Sequence, residues 1–294
     1  MHMNALVMGG TKFFGRDLVR CLLEERCRVT LATRGRTVDP FGADVERVVF
    51  DRTDCAIMAD AFSSRRFDIV FDQIAFEPKE IEDACRVFHG RIGHYVFTSS
   101  GSVYAPQGPR LKEEDFDPAA IRLDDGREAP FDYAEGKRRA EAALVQRATF
   151  PVAAARLSIV LGPDDPTGRF QFHVDRVRRD EPIVVPRSCG RLSFVSAAEA
   201  GRFVAWLGLQ GKTGAWNGAS ARPRSAAEIV QRISRVCRRS PRMLEEGDKR
   251  DRSPFCYTGD DWTLDAGKAR RAGFRFGGFA QWFDAMVRAS PSSA

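Results

Sequence analysis

A phenol and an ammonium stand one helical turn apart in Asp132-Tyr133-Ala134-Glu135-Gly136-Lys137. Positions i and i+4 share a helix face. An ammonium beside a phenol favours the phenolate and draws its pKa down from the free value of about 10. A tyrosine so placed can exchange protons with a substrate oxygen near neutral pH. Tyr-x-x-x-Lys occurs by chance on many helices, so its neighbours decide its weight. Upstream, His94-Tyr95-Val96-Phe97-Thr98-Ser99-Ser100-Gly101-Ser102 is an apolar strand ending in hydroxyls. Alone, Ser-Ser-Gly-Ser reads as a solvated loop. With the pair downstream it offers Ser100 as the hydroxyl that orients the oxygen on which Tyr133 works.

The chain opens with a third piece. Asn4-Ala5-Leu6-Val7-Met8 has the pattern of a short buried strand, and Gly9-Gly10-Thr11-Lys12-Phe13-Phe14-Gly15 leads into a helical run reaching Arg26. Strand, glycine turn and helix in this order form the context of a dinucleotide fingerprint. Gly9 turns the chain, Gly10 and Thr11 bring N–H groups to a helix N-terminus where a pyrophosphate is favoured, and Gly15 lets the helix lie close to the sheet. The bland alternative is a glycine turn that only caps a strand.

These residues need a frame. Alternating patterns predict strands near 4–8, 28–32, 46–50, 68–72, 94–98 and 153–159, with helices near 15–26, 55–63, 78–88 and 133–148, then Gln171–Arg179. The fold class is α/β: a Rossmann-type, doubly wound parallel sheet with a smaller C-terminal substrate-binding lobe. The dinucleotide-binding domain is expected over 1–162, with 190–219 returning to it, and the lobe over 163–189 and 220–294. The stretch Pro106–Pro130 is long and acidic, and reads equally as a lid or a surface loop. The last five residues, Ser290 to Ala294, are expected to fray.

The three segments together resemble the extended short-chain dehydrogenase/reductase family, which includes nucleotide-sugar epimerases and dehydratases. Further segments are similar to the family's in the same order: Ala155-Arg156-Leu157-Ser158-Ile159-Val160-Leu161-Gly162-Pro163, Arg191 to Glu199, Trp216-Asn217-Gly218 and Leu264 to Arg270. The resemblance implies catalysis by Ser100, Tyr133 and Lys137, with Lys137 also holding the nicotinamide ribose. It implies a homodimer through the helices at 78–88 and 133–148. Lys12 departs from the family's usual glycine. It is similar instead to a subgroup with Gly-Gly-Thr-(Arg/Lys)-Phe that includes plant chloroplast stem-loop RNA-binding proteins.

Cofactor contacts are expected from Gly9, Gly10, Thr11, Lys12, Phe13, Phe14, Gly15, Thr33, Arg34, Arg36, Asp51, Gln73, Ile74, Ala75, Ser99 and Lys137. The second strand ends at Thr33, not at the acidic residue that selects NAD. Arg34 and Arg36 follow, so NADP is favoured over NAD. As plain loop charges they would carry no such preference. Asp51 resembles a family aspartate at the adenine, or caps the next helix. Gln73 is unusual after the fourth strand and could add a hydrogen bond. Substrate contacts are expected from Ser100, Ser102, Arg169, Phe170, His173 and Arg191. Those beyond Ser102 could equally brace the lobe, and His173 could be a helix-surface residue.

At 294 residues and 43% hydrophobic composition the chain buries a sizeable core. No stretch approaches the ~20 apolar residues of a membrane span. The strand at the N-terminus leaves no room for a secretory signal. Seven cysteines without a Cys-x-x-Cys pair read as reduced, mostly buried thiols of a cytoplasmic protein. No metal site is expected. The net charge of +6 comes largely from arginines on predicted helices, which suits solvated faces better than a nucleic-acid surface.

The expected partner is a small molecule, such as a nucleotide-linked sugar. The residues after Ser100 are Gly101 and Ser102, where sugar 4,6-dehydratases carry an Asp-Glu pair, so that chemistry is disfavoured. Epimerase and reductase stay open. The alternative of another class is an RNA-binding protein that keeps the fold for interaction. An aligned phenol and ammonium argue against it.

Overall fold

β1 (Asn4–Met8) is exposed only at Asn4 and buried from Ala5 to Met8, the continuous apolar run of a strand covered on both faces. The computed structural model describes residues 2–105, 108–124, 126, 129–257 and 259–291. In chain order β1 is followed by α1 (Phe14–Glu24), β2 (Arg28–Thr33), β3 (Val45–Val49), α2 (Cys55–Phe62), β4 (Phe67–Asp72), α3 (Pro78–Phe88), β5 (Ile92–Ser100), α4 (Tyr133–Arg147) and β6 (Val152–Leu157). Then come β7 (Ile159–Leu161), α5 (Arg169–Arg179), β8 (Ile183–Val184), β9 (Phe194–Ser196), α6 (Ala197–Leu209), β10 (Gly214–Gly218), α7 (Ala226–Cys237), β11 (Met243–Leu244), α8 (Gly267–Arg271) and α9 (Phe279–Ala289).

Contacts divide the chain into two units. One comprises Met1–Ala105, Glu113–Leu157 and Ala200–Asn217, the other Pro106–Lys112, Ser158–Glu199 and Gly218–Ala294. The first unit carries a seven-stranded sheet of order β10-β6-β5-β4-β1-β2-β3, with parallel pairing from β3 through to β6. This is the doubly wound α/β order, whose crevice opens where the order reverses, beside β1 and β4. One sheet face packs Leu6, Met8, Val70, Tyr95 and Phe97 against Met58, Phe62, Ile81, Phe88 and Leu144 of α2, α3 and α4. On the other, Gly208 of α6 is so close to Phe71 that a Cβ there would lie 2.5 Å from its ring, and Gly201 is packed as tightly against the backbone of α1. The expected two-sided covering is therefore present.

The second unit has its own core, in which Ile159, Leu161 and Phe194 meet Phe170, Val174, Ile229, Ile233, Phe279 and Phe283 of α5, α7 and α9.

Three expectations change. The strand expected over 153–159 is broken at Ser158, whose N–H donates to Gly218 O while Ile159 N–H donates to Ser193 O. β6 therefore stays in the large sheet and β7 pairs with β9. The stretch 106–130 is not a free lid over its middle part. Arg156 holds the carbonyls of Glu113 and Phe116 at 2.8 and 3.1 Å, and Gln146 of α4 donates to Ile121 O. Pro106, Gln107, Asp125, Arg127 and Glu128 of that stretch lie outside the described residues, as do Ser292, Ser293 and Ala294 of the expected frayed end. Finally, Cys189 and Cys256 are disulfide-bonded across 67 residues of sequence, with Cα atoms 5.1 Å apart. Sequence spacing cannot reveal such a pairing, because the fold of the second unit creates the approach. Of the other described cysteines, Cys27 and Cys85 are buried and Cys21, Cys55 and Cys237 half-buried.

Candidate active site

The glycine turn after β1 forms one wall of a cleft of about 450 Å³. Gly9 and Gly10 have φ of +99° and +84°, and a Cβ on Gly10 would lie 2.9 Å from both Val7 and Leu31. Only glycine follows this path without strain. Gly15 N–H donates to Lys12 O, and a Cβ on Gly15 would meet the Gly10 backbone at 2.8 Å, so the N-terminus of α1 sits directly on the turn. Backbone donors at a helix start, with no side chain above them, fit a dinucleotide pyrophosphate.

Around the cleft stand Thr11, Lys12, Phe14, Thr33, Arg34, Arg36, Asp51, Gln73 and Ile74, all expected, together with Thr37, Phe50, Arg52, Thr53 and Glu80, which the sequence did not single out. Asp51 does not cap α2. That role falls to Asp54, which accepts from Ala56 and Ile57 N–H. The Asp51 carboxyl is held below its usual range by the N–H and hydroxyl of Thr53, with the cations Arg34 and Arg36 adding to the fall. Gln73 spends its side-chain amide on Thr98 Oγ1 at 2.9 Å.

Ser100, Tyr133 and Lys137 are not among the residues that line the cleft; Asp132 caps α4 by accepting from Glu135 N–H. Tyr133 is therefore the first helical residue. Its ring stacks on Phe76, centroids 5.8 Å apart, and is 56% exposed. Gly136 makes room for this stack, since a Cβ there would lie 2.7 Å from the Phe76 ring. One turn on, Lys137 is buried. Its ammonium donates to Ala75 O and Thr98 O, both at 2.8 Å, and lies 4.6 Å from the Phe97 ring centroid. Burial pushes Lys137 down to about 8, against the pull of the Asp72 and Glu80 carboxylates and with the help of Arg52. Ala75 follows Gln73 and Ile74 of the cleft wall, so the ammonium sits behind the turn that borders it. Ser100 ends β5, and its Oγ accepts from Ser102 N–H at 3.1 Å.

A buried ionic cluster supports that turn. Asp72 Oδ1 accepts from Ile74 and Ala75 N–H at 3.1 and 2.9 Å, while Oδ2 pairs with Arg52 Nη2 at 2.7 Å and accepts from the Tyr95 hydroxyl. Burial and the Asp72 charge raise the Tyr95 phenol well above its ordinary value, so it stays a donor. Arg52 also donates to Glu80 O at 3.0 Å. The sequence did carry one signal here: an aspartate directly after the apolar run Ile69-Val70-Phe71 of β4.

Other expected residues are committed elsewhere. Ser99 is buried, and its hydroxyl donates to Glu141, not toward the cleft. That carboxylate also receives Arg156, whose five N–H donors are satisfied by Glu141, Tyr104 Oη, Glu113 O and Phe116 O. Phe13, at φ +48°, precedes α1 and lies outside the cleft lining. Ala75 lies outside the cleft lining and takes part through its backbone, the carbonyl receiving Lys137 and the N–H held by Asp72. The Ser102 hydroxyl is buried without a hydrogen-bond partner. Phe170 and His173, expected at the substrate, are 5% and 0% exposed. Both imidazole nitrogens of His173 are used, by Arg169 O and Ser253 Oγ at 2.7 Å each, and its ring stacks on Phe255. It is a core histidine, neither at the substrate nor on the helix surface. Arg169 turns to Thr167, and Arg191 to Glu228 and Pro223 O. Among the described residues no His/Cys/Asp/Glu group could hold a metal ion, and no helix is long and apolar enough to cross a membrane.

Comparison with known proteins agrees with this architecture. The chain is 28% identical over 200 residues to the chloroplast stem-loop binding protein of 41 kDa b of Arabidopsis thaliana, an alignment covering 62% of this chain and 49% of that protein. The chain thus spans about half the length of the curated relative it matches. Its fold superposes on the UDP-glucose 4-epimerase of Thermus thermophilus in complex with NAD at a TM-score of 0.76 and 20% identity, over 97% of this chain and 98% of the other. The dTDP-glucose 4,6-dehydratase of Bacillus anthracis, also with NAD, gives 0.73 and 16%, over 97% and 96%. The model of the NAD dependent epimerase/dehydratase family matches residues 5–190, and the chain belongs to that family of enzymes.

Proposed function

We propose that the protein is an NAD(P)-dependent epimerase or reductase acting on a hydroxyl- or carbonyl-bearing carbon of a nucleotide-sugar-like substrate. The observation that carries this reading is Lys137: a buried ammonium, drawn down to about 8, anchored on the turn that borders a glycine-lined cleft. The nicotinamide ring supplies the hydride chemistry when bound. Tyr133 moves the proton to or from the substrate oxygen, and Ser100 orients that oxygen. Lys137 has three N–H donors; two hold the carbonyls of Ala75 and Thr98, and the third serves the ribose. Arg34 and Arg36, exposed at the end of β2, favour a 2′-phosphate and hence NADP. Asp51 beside them competes for the same cations. The same reading makes the protein a homodimer through α3 and α4, of the Gly-Gly-Thr-Lys-Phe subgroup.

Mass spectrometry of the protein as purified, followed by assays with NADPH, NADH and UDP-sugars, tests it. Retained dinucleotide with sugar epimerisation identifies an epimerase, and net consumption of NADPH a reductase. Failure to bind either dinucleotide overturns the proposal.

The likeness to a stem-loop binding protein favours a second reading, in which the fold binds RNA. Salt-dependent retention of a stem-loop RNA, without dinucleotide binding, would select it.

A further inference from the structure

The buried cluster under the cleft does more than fill space. It runs without a break from the cleft wall to the ammonium. Arg52 lines the cleft and is 5% exposed. Its Nη2 grips Asp72 Oδ2 at 2.7 Å, and its Nε, which has no hydrogen-bond partner, lies 3.7 Å from Glu80 Oε1. Asp72 Oδ1 fixes the N–H groups of Ile74 and Ala75. Glu80 Oε2 fixes those of Phe76 and Glu77 at 2.6 and 3.0 Å. Between these two clamped pairs of donors lies the Ala75 carbonyl, which receives Lys137 Nζ. Phe76, held by Glu80, is the ring on which Tyr133 stacks.

We propose that Asp72 and Glu80, held by Arg52, are positioning residues for Lys137: they fix the turn that receives its ammonium. This rests on the reading that Lys137 works in the dinucleotide site. The charged groups facing Lys137 are Asp72 from β4, Glu80 from α3, Arg52 from the loop after β3 and Glu141 from its own helix. Glu141 is committed to Arg156. Asp72 and Glu80, which hold the turn, favour the ammonium more strongly than Glu141 does and so do most to offset the cost of burying it. Neither touches the reacting atoms, so their effect reaches the reaction only through the lysine.

Calorimetric titration of NADP and NAD from about pH 6 to about pH 10 tests this. The proteins compared are the wild type, Lys137→Met, Asp72→Asn and Glu80→Gln, with near-UV circular dichroism confirming the fold. In the wild type, affinity is expected to fall as pH rises through the lysine's pKa near 8. Lys137→Met should abolish that fall. Asp72→Asn should move its midpoint down by about one unit, and Glu80→Gln by less, because each removes a charge that favours the ammonium. If Asp72→Asn does not fold, Glu80→Gln decides alone, since glutamine can still accept from Phe76. An identical pH profile in Lys137→Met would overturn the dinucleotide-site reading itself. A fall that vanishes in Lys137→Met but keeps its midpoint in the folded carboxylate variants would overturn only the positioning role.

Discussion

The two units differ in what their polar side chains are doing. In the first, the glycine turn after β1 lines a cleft, and Arg34, Arg36 and Lys12 stand exposed around it. In the second, the residues expected to meet substrate are occupied: His173 by Arg169 O, Ser253 and Phe255, and Arg191 by Glu228. A residue type suited to chemistry becomes a site only where its donors are left over after folding. In this molecule that condition separates a cleft from a core.

Four measurements sharpen or break the contrast. The largest effect is expected for Tyr133→Phe, which should lower turnover by roughly 10²–10⁴-fold while leaving dinucleotide affinity unchanged. Steady-state kinetics and calorimetry read the two halves of that statement, and retained turnover would remove Tyr133 from the chemistry.

Next comes His173, where burial pushes the imidazole down to about 4 from an ordinary 6.5. The folded state excludes the proton that the unfolded chain accepts. Stability from this group is therefore complete above about pH 6.5 and is lost as pH falls toward 4, by about 3 kcal/mol in all. Urea unfolding at a series of pH values should show that loss in the wild type. A His173→Phe variant should lack it and keep wild-type turnover per folded molecule. A drop in its turnover would return His173 to the site.

Gly10→Ala tests the cleft from the backbone side. Its φ of +84° and the 2.9 Å approaches to Val7 and Leu31 should displace the turn and weaken dinucleotide binding on the order of tenfold. The smallest effect belongs to Arg34→Ala with Arg36→Ala, because exposed charges are well screened. Affinity for NADP should fall about threefold to fivefold and that for NAD hardly at all. Equal losses for both would show that these arginines do not read the 2′-phosphate.

The sheet was legible because six short apolar runs, each followed by a turn or helix pattern, leave little choice of topology. The glycine turn was legible because positive φ demands glycine and the flanks declare strand and helix. Tyr133 and Lys137 stood out by their spacing taken together with the hydroxyls that end β5 and the glycine turn upstream. Arg52 and Glu80 did not, since a charged residue in a loop or a first helical turn looks the same whether it faces water or a buried aspartate. His173 misled for the converse reason: polarity and position on α5 suggested a surface, but Phe255 and Ser253, some eighty residues later, complete a dry pocket that no local pattern announces. The Cys189–Cys256 pair was hidden by the same kind of distance.

Arg156 has one more effect. The arm joining Ser100 to Tyr133 is clasped at Glu113 and Phe116 by a guanidinium that has no donor to spare. A tether pinned at its midpoint behaves as two short ones, each with its own slack. The near span that begins at Ser100 is thereby separated from the far span beyond Ile121. Changes of length in the far span should therefore leave the serine's seat undisturbed.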